Sequence, residues 1–179
     1  MKAGVGVVLA LLTIGPRTLA GQTCTAAGGG GTCSTATIAA TMTVNAVVQL
    51  SLSTTTTALT APGSADYDAG FVANAGPSAT VACNVTCRLQ ISAGTALWSA
   101  TTTVVSAPAR TNKPCADLTW STSSGGTFAG LTTTPVTVQS IPATGGSAPV
   151  SMFYRTKYAW GADTPGNYSL TVVFTLAAP

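Results

Sequence analysis

The sequence contains no histidine and no glutamate, and only 6% of its 179 residues are charged. Its four acidic residues are Asp66, Asp68, Asp117 and Asp163. Most hydrolytic chemistry needs a base with a pKa near neutral pH, and the usual serine and cysteine arrangements take that base from histidine. These missing side chains argue against an enzyme. The sequence offers no catalytic residue and no cofactor-binding residue.

The first twenty residues have the features of a secretory signal peptide. Lys2 precedes an apolar run over residues 5–14, which is too short to cross a bilayer, and the small residue Ala20 ends the segment. We expect cleavage after Ala20 and export of the rest, with no membrane insertion afterwards. Residues 21–34 contain four consecutive glycines and are predicted to form a flexible leader.

Net charge bears on the choice of partner. Cleavage after residue 20 removes Lys2 and Arg17, which leaves five basic residues against four acidic ones. A nearly neutral chain has little attraction for nucleic acid or for an anionic membrane. The sequence therefore predicts that neither is a partner.

Threonine and valine are frequent, and along several segments apolar and polar residues alternate in the way that is typical of half-buried strands. Residues 168–176 show it most clearly, with Tyr168, Leu170, Val172, Phe174 and Leu176 on one face. Residues 151–160 alternate too, with Met152, Tyr154, Tyr158 and Trp160 on one face. The Gly- and Pro-containing segment between the two indicates a long antiparallel hairpin.

Alternation also predicts strands over residues 35–44 and 80–91, and residues 66–72 indicate a short strand or a bulge. Turn residues separate about nine short strands in all. Residues 35–179 are therefore predicted to form one all-β domain, an immunoglobulin-like antiparallel sandwich of about 7–9 strands.

Five cysteines in an exported chain favour disulfides, and their odd number leaves one thiol unpaired. Cys83 and Cys87 lie four apart on one predicted strand, so their Cα atoms would be roughly 13 Å apart. That exceeds the disulfide limit of about 7 Å unless the strand is broken there. We favour Cys24–Cys33, and Cys115 with either Cys87 or Cys83. The remaining cysteine is a small buried residue or pairs with Cys24 or Cys33 instead.

Asp66 and Asp68 are the one candidate for a metal site. Two apart on a predicted strand, they would share a face and offer carboxylate oxygens to Ca²⁺. Hydrogen bonding within a turn is the competing and favoured interpretation, because aspartate commonly flanks turns. We therefore predict no metal centre, with these two residues as the weak alternative.

Several segments resemble those of a known group of proteins. They are an alternating segment at 36–44, an acidic–aromatic–glycine element at 66–70, an alternating strand with a Cys-Asn centre, and the segment 163–168, whose Pro-Gly-x-Tyr turn introduces the last strand. Together they resemble secreted bacterial pilin-like β-sandwich domains of the spore coat protein U and fimbrial-subunit type, with WxL-like surface domains as a second similarity. The resemblance implies an immunoglobulin-like fold, export, and assembly into surface structures without catalytic residues. Fimbrial subunits often have one cysteine pair, and the five cysteines of this chain depart from that pattern.

Two functions from different classes follow as expectations. The first is a non-enzymatic structural or adhesive protein, secreted, periplasmic or on the bacterial surface, that contacts copies of itself or other envelope and filament subunits through strands. The second is a secreted carbohydrate-binding module, in which aromatic side chains stack on a glycan. The aromatic candidates are Trp98, Trp120, Trp160, Tyr154 and Tyr158.

Overall fold

The computed structural model describes residues 39–143 and 147–178. The chain divides into two units, residues 1–43 and residues 44–179. In the first unit, residues 39–43 are exposed and have no regular secondary structure. The predicted signal peptide (1–20), the predicted leader (21–34) with Cys24 and Cys33, and the start of the predicted strand 35–44 lie outside the described residues.

The second unit is all-β, as the alternation predicts. Its strands in the described residues are β1 (Val48–Leu52), β2 (Phe71–Cys83), β3 (Cys87–Ala93), β4 (Ser99–Thr102), β5 (Leu118–Ser121), β6 (Ala129–Gly130), β7 (Val136–Ile141), β8 (Ser147–Lys157), β9 (Gly166–Ser169) and β10 (Val172–Ala177). One short helix, α1 (Ser64–Ala69), precedes β2. A five-stranded sheet has the order β1-β2-β8-β5-β6, a three-stranded sheet has the order β10-β3-β7, and β4 pairs with β9.

The core lies between the five-stranded and the three-stranded sheet. Val81 of β2 and Met152 of β8 meet Leu89 and Ile91 of β3, and all four side chains are at most 2% exposed. Burial of each such side chain contributes about 1.5–3 kcal/mol to folding. All the strand pairs are antiparallel, and the prediction of an antiparallel sandwich is confirmed.

The predicted strand 80–91 is broken in its middle. β2 ends at Cys83, the chain turns over residues 84–86, and β3 continues from Cys87 in the other sheet. The turn brings the Cα atoms of Cys83 and Cys87 to 6.4 Å, and the two residues form a disulfide. The favoured pairing of Cys115 with one of them is therefore wrong. Cys115 is a buried free thiol whose Sγ lies 3.4 Å from the Leu131 carbonyl oxygen.

The predicted terminal hairpin is also wrong, although within β8 and β10 the predicted inward faces are correct. β8 pairs with β2 and β5, whereas β10 pairs with β3 in the other sheet. Met152 and Tyr154 are nonetheless buried, and Phe174 and Leu176 point toward the core. Alternation fixes which face of a strand is buried, but it does not select the neighbouring strand.

The short strand or bulge predicted over residues 66–72 is wrong for its first part, because α1 occupies residues 64–69 and only Phe71 and Val72 belong to a strand, the start of β2. The Gly63 backbone N–H donates to Asp66 Oδ2 at 2.8 Å, which satisfies one of the free donors at the helix start. Gly70 ends the helix with φ +79°, a left-handed conformation that favours glycine. These two end signals outweigh the weak strand pattern.

Candidate functional site

An open groove of about 500 Å³ lies on one side of the sandwich. One wall is Leu52 with the loop residues 54–59, and the other wall is the segment 168–174 that runs from β9 into β10. The buried side chains of Trp98, Leu118 and Tyr154 line the groove as well, so it reaches the hydrophobic core.

The groove lies beside two edge strands. β1 is hydrogen-bonded only to β2, and β10 only to β3, within the part of the chain that the structure describes. β1 and β10 approach each other without forming a ladder. Each therefore keeps one row of N–H and C=O groups available to a further strand.

Side chains along these edges face the core but are incompletely covered. Phe174 of β10 is half-buried, whereas Ile91, its register partner on β3, is 1% exposed. Leu50 of β1 is half-buried, whereas its partner Val81 on β2 is fully buried. The apolar side chains of β1 and β10 thus point toward the core, but no other part of the described chain fully covers them at the groove.

The segment before β1 is fixed at one point. Asn84, in the turn between β2 and β3, accepts a hydrogen bond from the Val47 backbone N–H at 2.6 Å and donates one to the Asn45 carbonyl at 2.8 Å. Residues 39–44, the described part of the predicted strand 35–44, are not a strand. That prediction is wrong for these residues. Their apolar side chains are uncovered, with Met42 86% and Val44 72% exposed.

A second feature is an ion cluster of Arg110, Lys113, Asp117 and Asp163, in which Lys113 and Asp163 are buried and the other two are partly buried. The Lys113 side chain donates to Asp163 Oδ1 at 2.8 Å and to the Lys157 carbonyl at 2.8 Å, and its Nζ lies 3.4 Å from Asp117 Oδ2. Arg110 Nη1 lies 3.2 Å from Asp163 and 3.4 Å from Asp117. Lys113 is 1% exposed and Asp163 8%. A lysine is almost never so deeply buried unless it is paired.

Opposing effects act on the pKa of the Asp163 carboxyl. Burial raises this pKa, but the hydrogen bond and charge of Lys113 lower it, as do the Ala159 N–H and Arg110, and the net pKa lies below the usual value. Asp163 is therefore ionised at neutral pH. The local pattern predicted only a turn role for Asp163, because nothing in it connects Asp163 with Lys113, fifty residues earlier.

A third feature is an aromatic shelf of Tyr67, Tyr158 and Trp160. The Trp160 ring stacks on Tyr67 with centroids 4.5 Å apart, and its Nε1–H donates to Asp68 Oδ1 at 2.9 Å. Trp160 was expected to face inward, but it lies beyond the end of β8 and is 63% exposed. Burial raises the pKa of Tyr67 and of Tyr158, so both phenols stay neutral. The other aromatic candidates, Trp98, Trp120 and Tyr154, are core residues.

The proposed face shared by Asp66 and Asp68 does not exist, because the two lie on a helix. Asp66 accepts from Gly63 N, and Asp68 accepts from Trp160 Nε1. Across residues 39–143 and 147–178, no three His, Cys, Asp or Glu side chains come together as a metal site would require.

The sequence matches no protein-family model and no curated protein with which it was compared. None of the described helices has the length and apolar character to cross a membrane. The groove, the ion cluster and the aromatic shelf must therefore be interpreted from their own chemistry.

Proposed function

We propose that this protein is a non-enzymatic, exported bacterial structural subunit that assembles with copies of itself by strand insertion. Residues 35–44 of one copy enter the groove between β1 and β10 of the next copy. The observation that carries the proposal is the pair of half-buried, core-facing edges at this groove. A core that is open beside two unpaired strand edges fits a missing strand, which another chain can supply.

The inserted segment has the pattern that the groove requires. In an extended conformation, Ile38, Ala40, Met42 and Val44 share one face and threonines take up most of the other. The apolar side chains would cover Phe174 and Leu50, while the backbone would pair with the free edges. Of this segment, residues 39–44 are described, and they are exposed and not in a strand.

The proposal can be tested by measuring the oligomeric state of the native chain and of two variants that each add one negative charge. We expect the chain with native residues 21–179 to form concentration-dependent oligomers in size-exclusion chromatography with light scattering. Met42→Asp places the charge on the inserted face and should leave monomers, because an unpaired buried charge is costly. Thr43→Asp places it on the opposite face and should still assemble. Monomers at every concentration of the native chain, or equal behaviour of the two variants, would contradict strand insertion.

A peptide of residues 35–44 tests the groove itself. Added to a chain that lacks residues 21–43, the peptide should raise the free energy of unfolding by about 2.7 kcal/mol at one hundred times its Kd. A peptide with aspartate in place of Met42 is the matched control and should have no effect. Thermal melts that do not respond to the native peptide would show that the groove does not take this segment.

The aromatic shelf favours carbohydrate binding as a second candidate function. Trp160 presents one ring face to solvent, while Tyr67 supports the other and Asp68 fixes the indole N–H. Such a ring can stack on a sugar at little entropic cost. On a glycan array, Trp160→Ala should weaken any binding about tenfold, and Trp160→Phe should retain most of it. An array on which the native chain binds no glycan removes this candidate.

A further inference from the structure

The ion cluster holds a primary amine and a carboxylate in direct contact and away from water. Lys113 lies in the segment before β5, and Asp163 lies in the segment before β9, fifty residues later. The two segments contribute a nitrogen and an oxygen 2.8 Å apart. Fixed proximity of this kind gives effective concentrations of about 10⁵ M or more for reactions between the paired groups. The paired groups can react with each other if a neighbouring group, Asp117, transfers protons between them.

We propose that Lys113 and Asp163 condense to an isopeptide bond, with Asp117 as the residue that carries the proton. The product is an amide between Lys113 Nζ and Asp163 Cγ, and one water is released. The bond would cross-link the two segments covalently within one chain. This inference concerns a site apart from the groove, and it stands or falls independently of strand insertion.

The reaction balances without any further reactant. One proton passes from the Lys113 ammonium to Asp163 Oδ1 along their hydrogen bond, which leaves a neutral amine and a neutral acid. The amine nitrogen then attacks Cγ. Asp117 Oδ2, 3.4 Å from Nζ, accepts a second proton and delivers it to Oδ1. The Cγ–Oδ1 bond breaks, Oδ1 leaves as water, and Asp117 returns to its starting state.

The surroundings of Asp163 distinguish its two oxygens. Oδ2 accepts a hydrogen bond from the Ala159 backbone N–H at 2.9 Å. That donor is placed to stabilise the negative charge that grows on Oδ2 during attack. Oδ1 accepts hydrogen bonds from Lys113 Nζ at 2.8 Å and from Arg110 Nη1 at 3.2 Å. It is therefore the oxygen positioned to be protonated and to leave.

Formation of the isopeptide bond leaves the cluster with equal numbers of positive and negative charges. Before the reaction the cluster contains two cations and two anions, and afterwards Arg110 and Asp117 remain as a pair at 3.4 Å. No buried charge is left alone, which is the costly outcome in a protein interior. The strong ion pair disfavours the neutral form that reacts, so we expect a slow, first-order reaction after folding. Tyr158, whose ring centroid lies 4.9 Å from Lys113 Nζ, helps to exclude water.

Intact mass spectrometry of the exported, purified chain tests the proposal. The expected mass is lower than the disulfide-containing sequence mass by one water molecule. Trypsin should cut after Arg155 and Lys157 but not before Pro114, so peptides 111–155 and 158–179 should remain joined after reduction. A chain that keeps its full mass after prolonged incubation, with these two peptides separate, overturns the proposal.

Two variants separate the reaction from the fold. Lys113→Arg keeps the positive charge but lacks the amine, and it should show the full sequence mass in a folded chain. Asp117→Asn keeps the amine and Asp163 but removes the proton carrier. Its rate of cross-linking should be lower than the native rate by about a hundredfold or more. Cross-linking of Asp117→Asn at the native rate would show that Asp117 has no part in the reaction.

Discussion

Replacing Lys113 by methionine is expected to lower the free energy of unfolding by about 3–5 kcal/mol relative to the native chain before the isopeptide bond forms, because it leaves Asp163 in a buried site without its closest cation. Lys113 is 1% exposed, and its side chain donates to both Asp163 and the Lys157 carbonyl at 2.8 Å. Methionine has a similar shape and flexibility, so the loss measures polar interactions more than packing. Urea unfolding followed by tryptophan fluorescence gives the free energy directly.

The double variant Lys113→Met with Asp163→Leu is the matched comparison. It removes both charges and keeps Arg110 beside Asp117, so no buried ion is left uncompensated. Removing both partners of a buried pair is often nearly neutral, and the double variant should therefore be more stable than Lys113→Met alone. A single variant that is as stable as the native chain without the isopeptide bond, or a double variant less stable than the single one, would show that Asp163 does not depend on Lys113.

Ile91→Ala is expected to cost about 2–5 kcal/mol, because Ile91 is 1% exposed in the centre of the core. Phe174→Ala, at the register partner on β10, should cost less in a chain that lacks residues 21–43, because Phe174 is only half-buried there. When the peptide of residues 35–44 occupies the groove, Phe174 becomes covered. Its cost should then rise toward the value of about 3–5 kcal/mol for a buried phenylalanine.

Urea unfolding of both variants, with and without saturating peptide, measures this difference. The Ile91→Ala cost should be the same in the two conditions, because this side chain is covered already. An unchanged Phe174→Ala cost in the presence of bound peptide would mean that the peptide does not lie over β10.

The local pattern predicted much of the fold and little of its pairing. Alternation correctly placed Val81, Leu89, Ile91 and Tyr154 in the core. It could not reveal that the chain changes sheets over residues 84–86, because the faces remain in phase across the turn. The distance argument against Cys83–Cys87 failed for the same reason. Its stated exception, a broken strand, is what the structure contains.

The candidate sites were less accessible from sequence because they depend on long-range contacts. The exposed alternating segment before β1 was recognisable, but the open edges of β1 and β10 were not. Arg110 and Lys113 were visible only as charges in a loop, and Asp163 as a turn residue. Their meeting depends on how β4 pairs with β9, which no local signal encodes. Trp160 was placed inward because its alternation was followed past Lys157, where β8 ends.

The attachment of residues 45 and 47 to Asn84 has a mechanical consequence for a filament built by strand insertion. In such a filament, tension on residues 39–44 would reach the domain at the Asn84 side chain, next to the Cys83–Cys87 disulfide. Because β2 and β3 leave that disulfide for different sheets, a pull there is shared between both layers. The disulfide is a covalent link between the two layers at the point where the pull would enter.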